Sequence, residues 1–296
     1  MRVLLTGAGG YIGLHLLRAL LEAGHQVTAL LRSPAQLGPL AASPRLIVVP
    51  TDLEQAEGVA RALVGQECCV HSALIWGEPG SELELRDVAV AARLFDAAGS
   101  AGVGRCILLS SAAVHRPFSA EMTEDAPLHS TDLYGATKAA GELFLRAACA
   151  SYGMSGVVLR PGPVVGLPAF PGGSFRSDRR LIEWVAAARA GQPIEVAEGE
   201  GRQWTDVATV ATAVRVLVEE AAPQPSYLCM DREILPWETI ARHLIARLQS
   251  PSPLHLLPRP ALIPQFHTAR IEALLGGRAS ATAALEAHLD RLVAST

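Results

Sequence analysis

Aromatic side chains make up only 5% of this 296-residue chain and charged ones only 18%. Neither sign of charge dominates, since 25 Lys+Arg against 29 Asp+Glu leave −4 at pH 7. No broad cationic face is available to follow a phosphate backbone, which excludes nucleic-acid binding by bulk charge. Long apolar runs are also missing. Mean hydropathy is +0.27, yet charge, Gly or Pro interrupts each apolar stretch well before the roughly 18 consecutive positions a membrane helix needs, so no membrane span is expected. Val3-Leu4-Leu5 halts at Thr6-Gly7, too short for the core of an export signal. Cysteine is scarce and odd in number: Cys68, Cys69, Cys106, Cys149 and Cys229 form no CxxC pair and no Cys/His spacing suited to zinc. Reduced, mostly buried thiols, no metal and a cytoplasmic location are the expectations. What the chain does have is 50% hydrophobic residues, enough for one large or two modest packed domains.

Those apolar residues come in short runs that alternate between two periods. Arg2 to Leu5 reads as a strand, Thr6 to Gly13 as a glycine turn and Leu14 to Ala23 as a helix stopped by Gly24. Strands are predicted at His25 to Leu31, Leu46 to Val49, Cys68 to His71, Cys106 to Leu109 and Val157 to Leu159. Helices are predicted at Glu54 to Val64, Glu84 to Ala98 and Tyr134 to Ala150. Strands alternating with helices imply right-handed crossovers and a parallel sheet covered on both faces. The expected class is α/β, a Rossmann-type doubly wound sheet over residues 1–165. Pro161, Pro163, Pro168 and Pro171 then crowd a loop with Gly172 and Gly173. Residues 166–296 are expected to form a smaller substrate-binding cap, with about 204–228 packing back on the first domain.

Two stretches carry chemistry. In the turn, Gly7 permits the tight bend, Gly10 lets backbone approach a pyrophosphate and Gly13 lets the helix pack against the strand, while the helix N-terminus faces the phosphates. Tyr134 and Lys138 stand four apart on a predicted helix, one face carrying a phenol and an ammonium. The cation is expected to lower the phenol's pKa so that it can exchange a proton with a substrate oxygen. Ser111 follows a strand at the sheet's C-terminal edge, where a hydroxyl can bind the same oxygen.

In order along the chain, these stretches resemble the extended short-chain dehydrogenase/reductases, the NAD-dependent epimerase/dehydratase group that includes UDP-galactose epimerases. TGAGGYIG at Thr6 to Gly13 resembles the family's TGxxGxxG, Asp52-Leu53 its adenine-side acidic pair and CVHSA at Cys69 to Ala73 its fourth-strand motif. SSAAVH at Ser110 to His115 resembles SSxxVY, Tyr134 to Lys138 resembles YxxxK, and RPGPVVG at Arg160 to Gly166 resembles RPxxVYG. The resemblance implies that Ser111 orients the substrate oxygen, Tyr134 is the acid/base, and Lys138 tunes it while holding the nicotinamide ribose. It also implies cofactor contacts from Gly7, Gly10, Tyr11, Ile12, Gly13, Asp52, Leu53, Ser72, Ala73, Leu74, Pro161 and Val164. The implied activity is hydride transfer at a secondary alcohol or ketone carbon of a sugar nucleotide. A reductase or dehydrogenase for a smaller hydrophobic ketone is the alternative, and a non-catalytic dinucleotide sensor a lesser one.

Departures from the pattern point toward that alternative. Pro163 stands where these epimerases usually carry Asn, Val165 replaces the motif's Tyr, and His115 replaces another. The helix position of Asp87 is normally Asn, and Ala208-Thr209 replace two acids after Arg202. Trp76, Ala112, Pro163 and Arg202 are the candidate substrate contacts. The second strand ends in Leu31 with no acid for the adenosine ribose, and Arg32 follows, a guanidinium suited to a 2′-phosphate; NADP(H) is therefore favoured over NAD(H). Apolar outer faces on the helices Glu84 to Ala98 and Tyr134 to Ala150, together with the family's habit of pairing them, predict a homodimer.

Overall fold

Along the first strand, Val3 and Leu5 point into one apolar cluster and Leu4 into another, because a strand buried on both faces needs an apolar residue at every position. The computed structural model describes residues 1–75, 81–258 and 262–295, with backbone alone for 81–85. Seven strands form one sheet: β1 (Arg2–Thr6), β2 (Gln26–Leu31), β3 (Leu46–Pro50), β4 (Cys68–His71), β5 (Arg105–Leu109), β6 (Ser155–Pro161) and β7 (Ser226–Cys229). Their spatial order is β7-β6-β5-β4-β1-β2-β3 and each neighbouring pair is parallel. Leu4 registers with Thr28 on one side and Cys69 on the other. The order reverses between β1 and β4, opening the crevice in which doubly wound sheets bind ligands.

Helices cover both faces. α1 (Tyr11–Glu22), α6 (Val207–Glu219) and α8 (Ala269–Leu275) share one cluster with the sheet. α2 (Ala56–Leu63), α3 (Ser81–Ser100) and α4 (Leu133–Tyr152) share the other. The cysteines are free, and four of the five are buried. Cys68 lies in the first cluster, Cys69 and Cys106 in the second, acting as small core residues. The segment 207–229 thus supplies a helix and the seventh strand to the sheet domain. A third core lies apart from the sheet, built from α5 (Arg179–Arg189), α7 (Trp237–Arg247) and α9 (Thr282–Ser295). Trp184 and Trp204 each meet Trp237 edge-on in it, at 5.3 Å between ring centroids. Among the described residues no helix is long and apolar enough to cross a membrane, and no His/Cys/Asp/Glu group is arranged to hold a metal.

Candidate active site

A cavity of about 1300 Å³ runs along the C-terminal edge of the sheet and under the third core. At its sheet end, β1 passes into α1 through the glycine turn. Gly7 has φ +73°, and a Cβ there would meet Ala73 N at 2.7 Å; one on Gly13 would meet Gly7 O at 1.9 Å. These two glycines are therefore required by the protein's own packing. Gly10 differs, because a Cβ on it would touch only Gly7 O, at 3.3 Å. Gly10 lines the cavity and caps α1 without a side chain, which leaves the helix's first N–H groups open to an anion. That cradle fits a dinucleotide pyrophosphate.

Hydrogen bonds accepted by Thr6 shape the neighbouring wall. The Ser72 hydroxyl donates to Thr6 O at 2.9 Å, and Ala73 N donates to Thr6 Oγ1 at 3.3 Å. Thr6 Oγ1 also lies 2.7 Å from Nδ1 of the buried His71. Burial, and after it the Lys138 ammonium, pushes His71 down to about 3, so this histidine is neutral and structural.

Ser111 leaves the end of β5 and accepts the Ala113 N–H at 3.2 Å, capping a short 3-10 turn over Ala112–His115. Opposite it, Asp132 caps α4 by accepting the Gly135 N–H at 2.8 Å, placing Tyr134 in the first helical turn. Gly135 allows the close approach: a Cβ there would meet Ser130 Oγ at 2.0 Å and Ala113 O at 2.5 Å. The Ser111 hydroxyl consequently lies close enough to the Tyr134 phenol to pull its pKa down. Continuing down the same helix face, Lys138 is buried with Nζ 3.9 Å from Asp87 Oδ2, and Glu142 takes a bidentate ion pair from Arg160 at 2.9 and 2.7 Å.

One sequence-based expectation is corrected here. The phenol of Tyr134 is held above its usual range, not below it, chiefly by burial; the Ser111 hydroxyl and Arg116 pull it down, while Asp87 and Asp132 push it up. Burial lowers Lys138, and Asp87 partly restores it. The ammonium faces Asp87, whose carboxyl burial pushes up while Lys138 and the Ile75 N–H pull it down.

Every other predicted site residue among the described ones lines this same cavity: Tyr11, Ile12, Arg32, Asp52, Leu53, Ser72, Ala73, Leu74, Ala112, Pro161, Pro163, Val164 and Arg202. Trp76 lies outside the described residues. Tyr11 donates to Gly166 O at 2.8 Å, which fixes its ring. Arg32 is exposed just past β2, and no described residue bonds or pairs with it. Arg202 pairs with Asp178 at 3.1 Å and lies over Trp237, so it is engaged within the cap. Sequence reasoning missed Arg116, Phe118, Arg176, Met230 and Phe266, which also line the cavity. Phe118 and Phe266 meet edge-on at 5.1 Å and form an apolar wall with Ala112 and Met230. Arg32, Arg86, Arg116, Lys138, Arg176 and Arg202 against Asp52, Glu54, Asp178 and Glu200 give the lining a positive excess in a chain of net charge −4.

The sequence profile of the NAD dependent epimerase/dehydratase family matches residues 3–228, most of the chain and all of the sheet but its first and last residues. The chain belongs to the NAD-dependent epimerase/dehydratase family. Within reach of this family, a dTDP-4-dehydro-6-deoxy-D-allose reductase of Streptomyces bikiniensis is 29% identical over 285 residues, covering 88% of this chain and 86% of that enzyme. A 3-beta-hydroxysteroid dehydrogenase of Mycolicibacterium neoaurum is 33% identical over 178 residues, 56% of this chain and 48% of that enzyme. The chain thus matches only about half of the dehydrogenase's length. Among solved structures, UDP-glucuronic acid 4-epimerase from Bacillus cereus in complex with NAD shares the fold. Its TM-score is 0.81 at 20% identity, over 99% of this chain and 98% of that one. As a member of the epimerase/dehydratase family, the chain has the family's dinucleotide fold with its glycine turn intact.

Proposed function

We propose that this protein is an NADP(H)-dependent epimerase or reductase of the extended short-chain dehydrogenase/reductase type, acting at a secondary alcohol or ketone carbon of a sugar nucleotide. The observation that carries the reading is one cavity holding both the open α1 N-terminus and, beyond it, Ser111, Tyr134 and Lys138. When bound, the dinucleotide supplies two-electron hydride chemistry. The chain's own part is to bind and to move a proton. Gly7, Gly10, Gly13, Tyr11 and Ile12 hold the pyrophosphate side; Asp52 and Leu53 lie on the adenine side; Ser72, Ala73, Leu74, Pro161 and Val164 line the nicotinamide side. Ser111 fixes the substrate oxygen, Tyr134 exchanges its proton, and Lys138 holds the ribose end.

Arg32, unpaired among the described residues and past a β2 that lacks a terminal acid, supports NADP(H) over NAD(H). The positive lining and the long match to a sugar-nucleotide reductase support an anionic substrate. A second reading, a smaller hydrophobic ketone, is favoured by the wall of Ala112, Phe118, Met230 and Phe266, by Pro163, and by the pairing of Arg202 with Asp178. Buried free thiols support a reducing cytoplasm. Leu143 and Phe144, 52% and 44% exposed on α4, support a homodimer, which light scattering tests. Cofactor oxidation, followed at 340 nm with dTDP- and UDP-linked 4-keto sugars beside hydrophobic ketones, separates the two substrate readings; turnover of the ketones alone overturns the first.

A further inference from the structure

The segment 110–115, which carries Ser111, is tied at both ends to the part of the chain that carries Tyr134. At its first residue the Ser110 hydroxyl donates to Glu142 Oε1 at 2.6 Å, and Glu142 stands on the α4 face that bears Tyr134 and Lys138. At its far end the Val114 carbonyl accepts the N–H groups of His129 and Ser130 at 3.1 and 3.2 Å, just ahead of the Asp132 cap that starts α4. The Ser111 turn and the first turns of α4 are thus two sides of one closed frame.

Arg160 of β6 crosses that frame. Its Nε and Nη2 hold the two oxygens of Glu142 at 2.9 and 2.7 Å, while Nη1 reaches His115 Nε2 at 3.1 Å and Glu124 O at 2.7 Å. A guanidinium has no acceptor, so His115 Nε2 accepts from it. The ring proton then sits on Nδ1, which donates to Pro127 O at 2.9 Å. Ser110, His115, Glu142 and Arg160 are all buried, and of the four only Ser110 lines the cavity.

For stability alone this is a poor arrangement, because taking two charges out of water costs about as much as their attraction returns and a well-packed apolar pair does as well or better. What the ion pair adds is direction. It fixes Ser110 and His115 against α4, and with them the turn that lies between.

We propose that Glu142, Arg160 and His115 are positioning residues of the reaction, holding Ser111 at a set distance from Tyr134 so that one substrate oxygen meets both hydroxyls. The inference rests on Ser111 and Tyr134 serving that oxygen, but its first readout needs no substrate.

Two double variants test it. Ser110→Ala with His115→Phe cuts the side-chain ties and leaves the ion pair in place; Glu142→Leu with Arg160→Met removes the pair and fills its volume with apolar groups. Hydrogen–deuterium exchange with mass spectrometry, on peptides spanning 110–116, should be at least about tenfold faster in both variants while peptides from β1 and α1 exchange as in the parent. Turnover should fall about 10- to 100-fold with the dinucleotide dissociation constant unchanged within about twofold, the cost of misplacing a reacting group by roughly 1 Å. A network that serves stability alone gives the opposite result in the apolar variant, a stable fold with the parent's exchange and turnover. Unchanged exchange over 110–116, or faster exchange with the parent's turnover, overturns the proposal. Should either double variant not fold, Ser110→Ala alone gives the same two readings. If the unsubstituted protein turns over no ketone or sugar nucleotide, the hydride-transfer reading fails, and exchange alone still decides whether the network holds the Ser111 turn.

Discussion

Replacing Glu142 by Ala should destabilise the protein strongly although its side chain does not line the cavity. Its side chain is 1% exposed and that of Arg160 4%. Glu142 Oε1 accepts from Ser110 Oγ at 2.6 Å and from Arg160 Nε at 2.9 Å, and Oε2 from Arg160 Nη2 at 2.7 Å. The remaining guanidinium nitrogen reaches Glu124 O at 2.7 Å and His115 Nε2 at 3.1 Å. Removing the carboxylate strands the guanidinium in the interior, and breaking such a pair costs about 3–5 kcal/mol. For a chain of 296 residues the entropy of unfolding makes that a fall in Tm of roughly 5–8 °C. Differential scanning calorimetry checks the single variant, and Glu142→Leu with Arg160→Met checks the cause, since an apolar pair of similar volume should recover at least about 2 kcal/mol. A single variant within about 1 kcal/mol of the parent, or a double variant no better than the single, would refute the reasoning.

Three further outcomes are expected. Tyr134→Phe should preserve fold and dinucleotide affinity while lowering turnover at least about 100-fold, and Lys138→Ala should lower both turnover and dinucleotide affinity; calorimetric titration beside steady-state kinetics separates the two. Arg32→Ala should weaken NADP(H) about tenfold or more with little change for NAD(H), and equal losses for both dinucleotides would remove the assignment. Folding should also depend on mild acid. His71 falls from 6.5 to about 3 on folding, so its contribution is complete above its unfolded pKa and is lost as the pH falls toward its folded one. His15, His115 and His288 are lowered by burial in the same direction. Urea unfolding should lose about 1.4 kcal/mol per pH unit for each fully depressed histidine below about pH 6.5, and His71→Asn should flatten the slope.

Much of the fold was legible because β1, β4 and β5 are apolar on both faces and are bounded by glycines and by helices of clear periodicity. The strand Ser226–Cys229 was not legible, being four residues long and joined to β6 across a distant part of the chain. For the site, local spacing carried the glycine turn and the Tyr134–Lys138 pair. The same period extends to Glu142, a signal available in the sequence but left unread. Phe266 could not be read at all. It reaches the wall beside Ala112 through a two-residue pairing of Gln265–Phe266 with Glu121–Met122, which has no periodicity to betray it. The sign of the Tyr134 shift was misjudged for a related reason. Helical spacing reports which charge is near, whereas burial and the carboxylate from α3 come from tertiary packing.

The central claim, that this cavity joins a dinucleotide's hydride to a proton carried by Tyr134, is tested most directly by isotope transfer. Reduced NADP carrying deuterium at nicotinamide C4 is incubated with the protein and a panel of dTDP- and UDP-linked 4-keto sugars and hydrophobic ketones. Each product is then examined by mass spectrometry and NMR. The account predicts deuterium on the carbinol carbon of at least one product, formed at least about 100-fold more slowly by Tyr134→Phe. No deuterium in any product, or an unchanged rate in Tyr134→Phe, would contradict it.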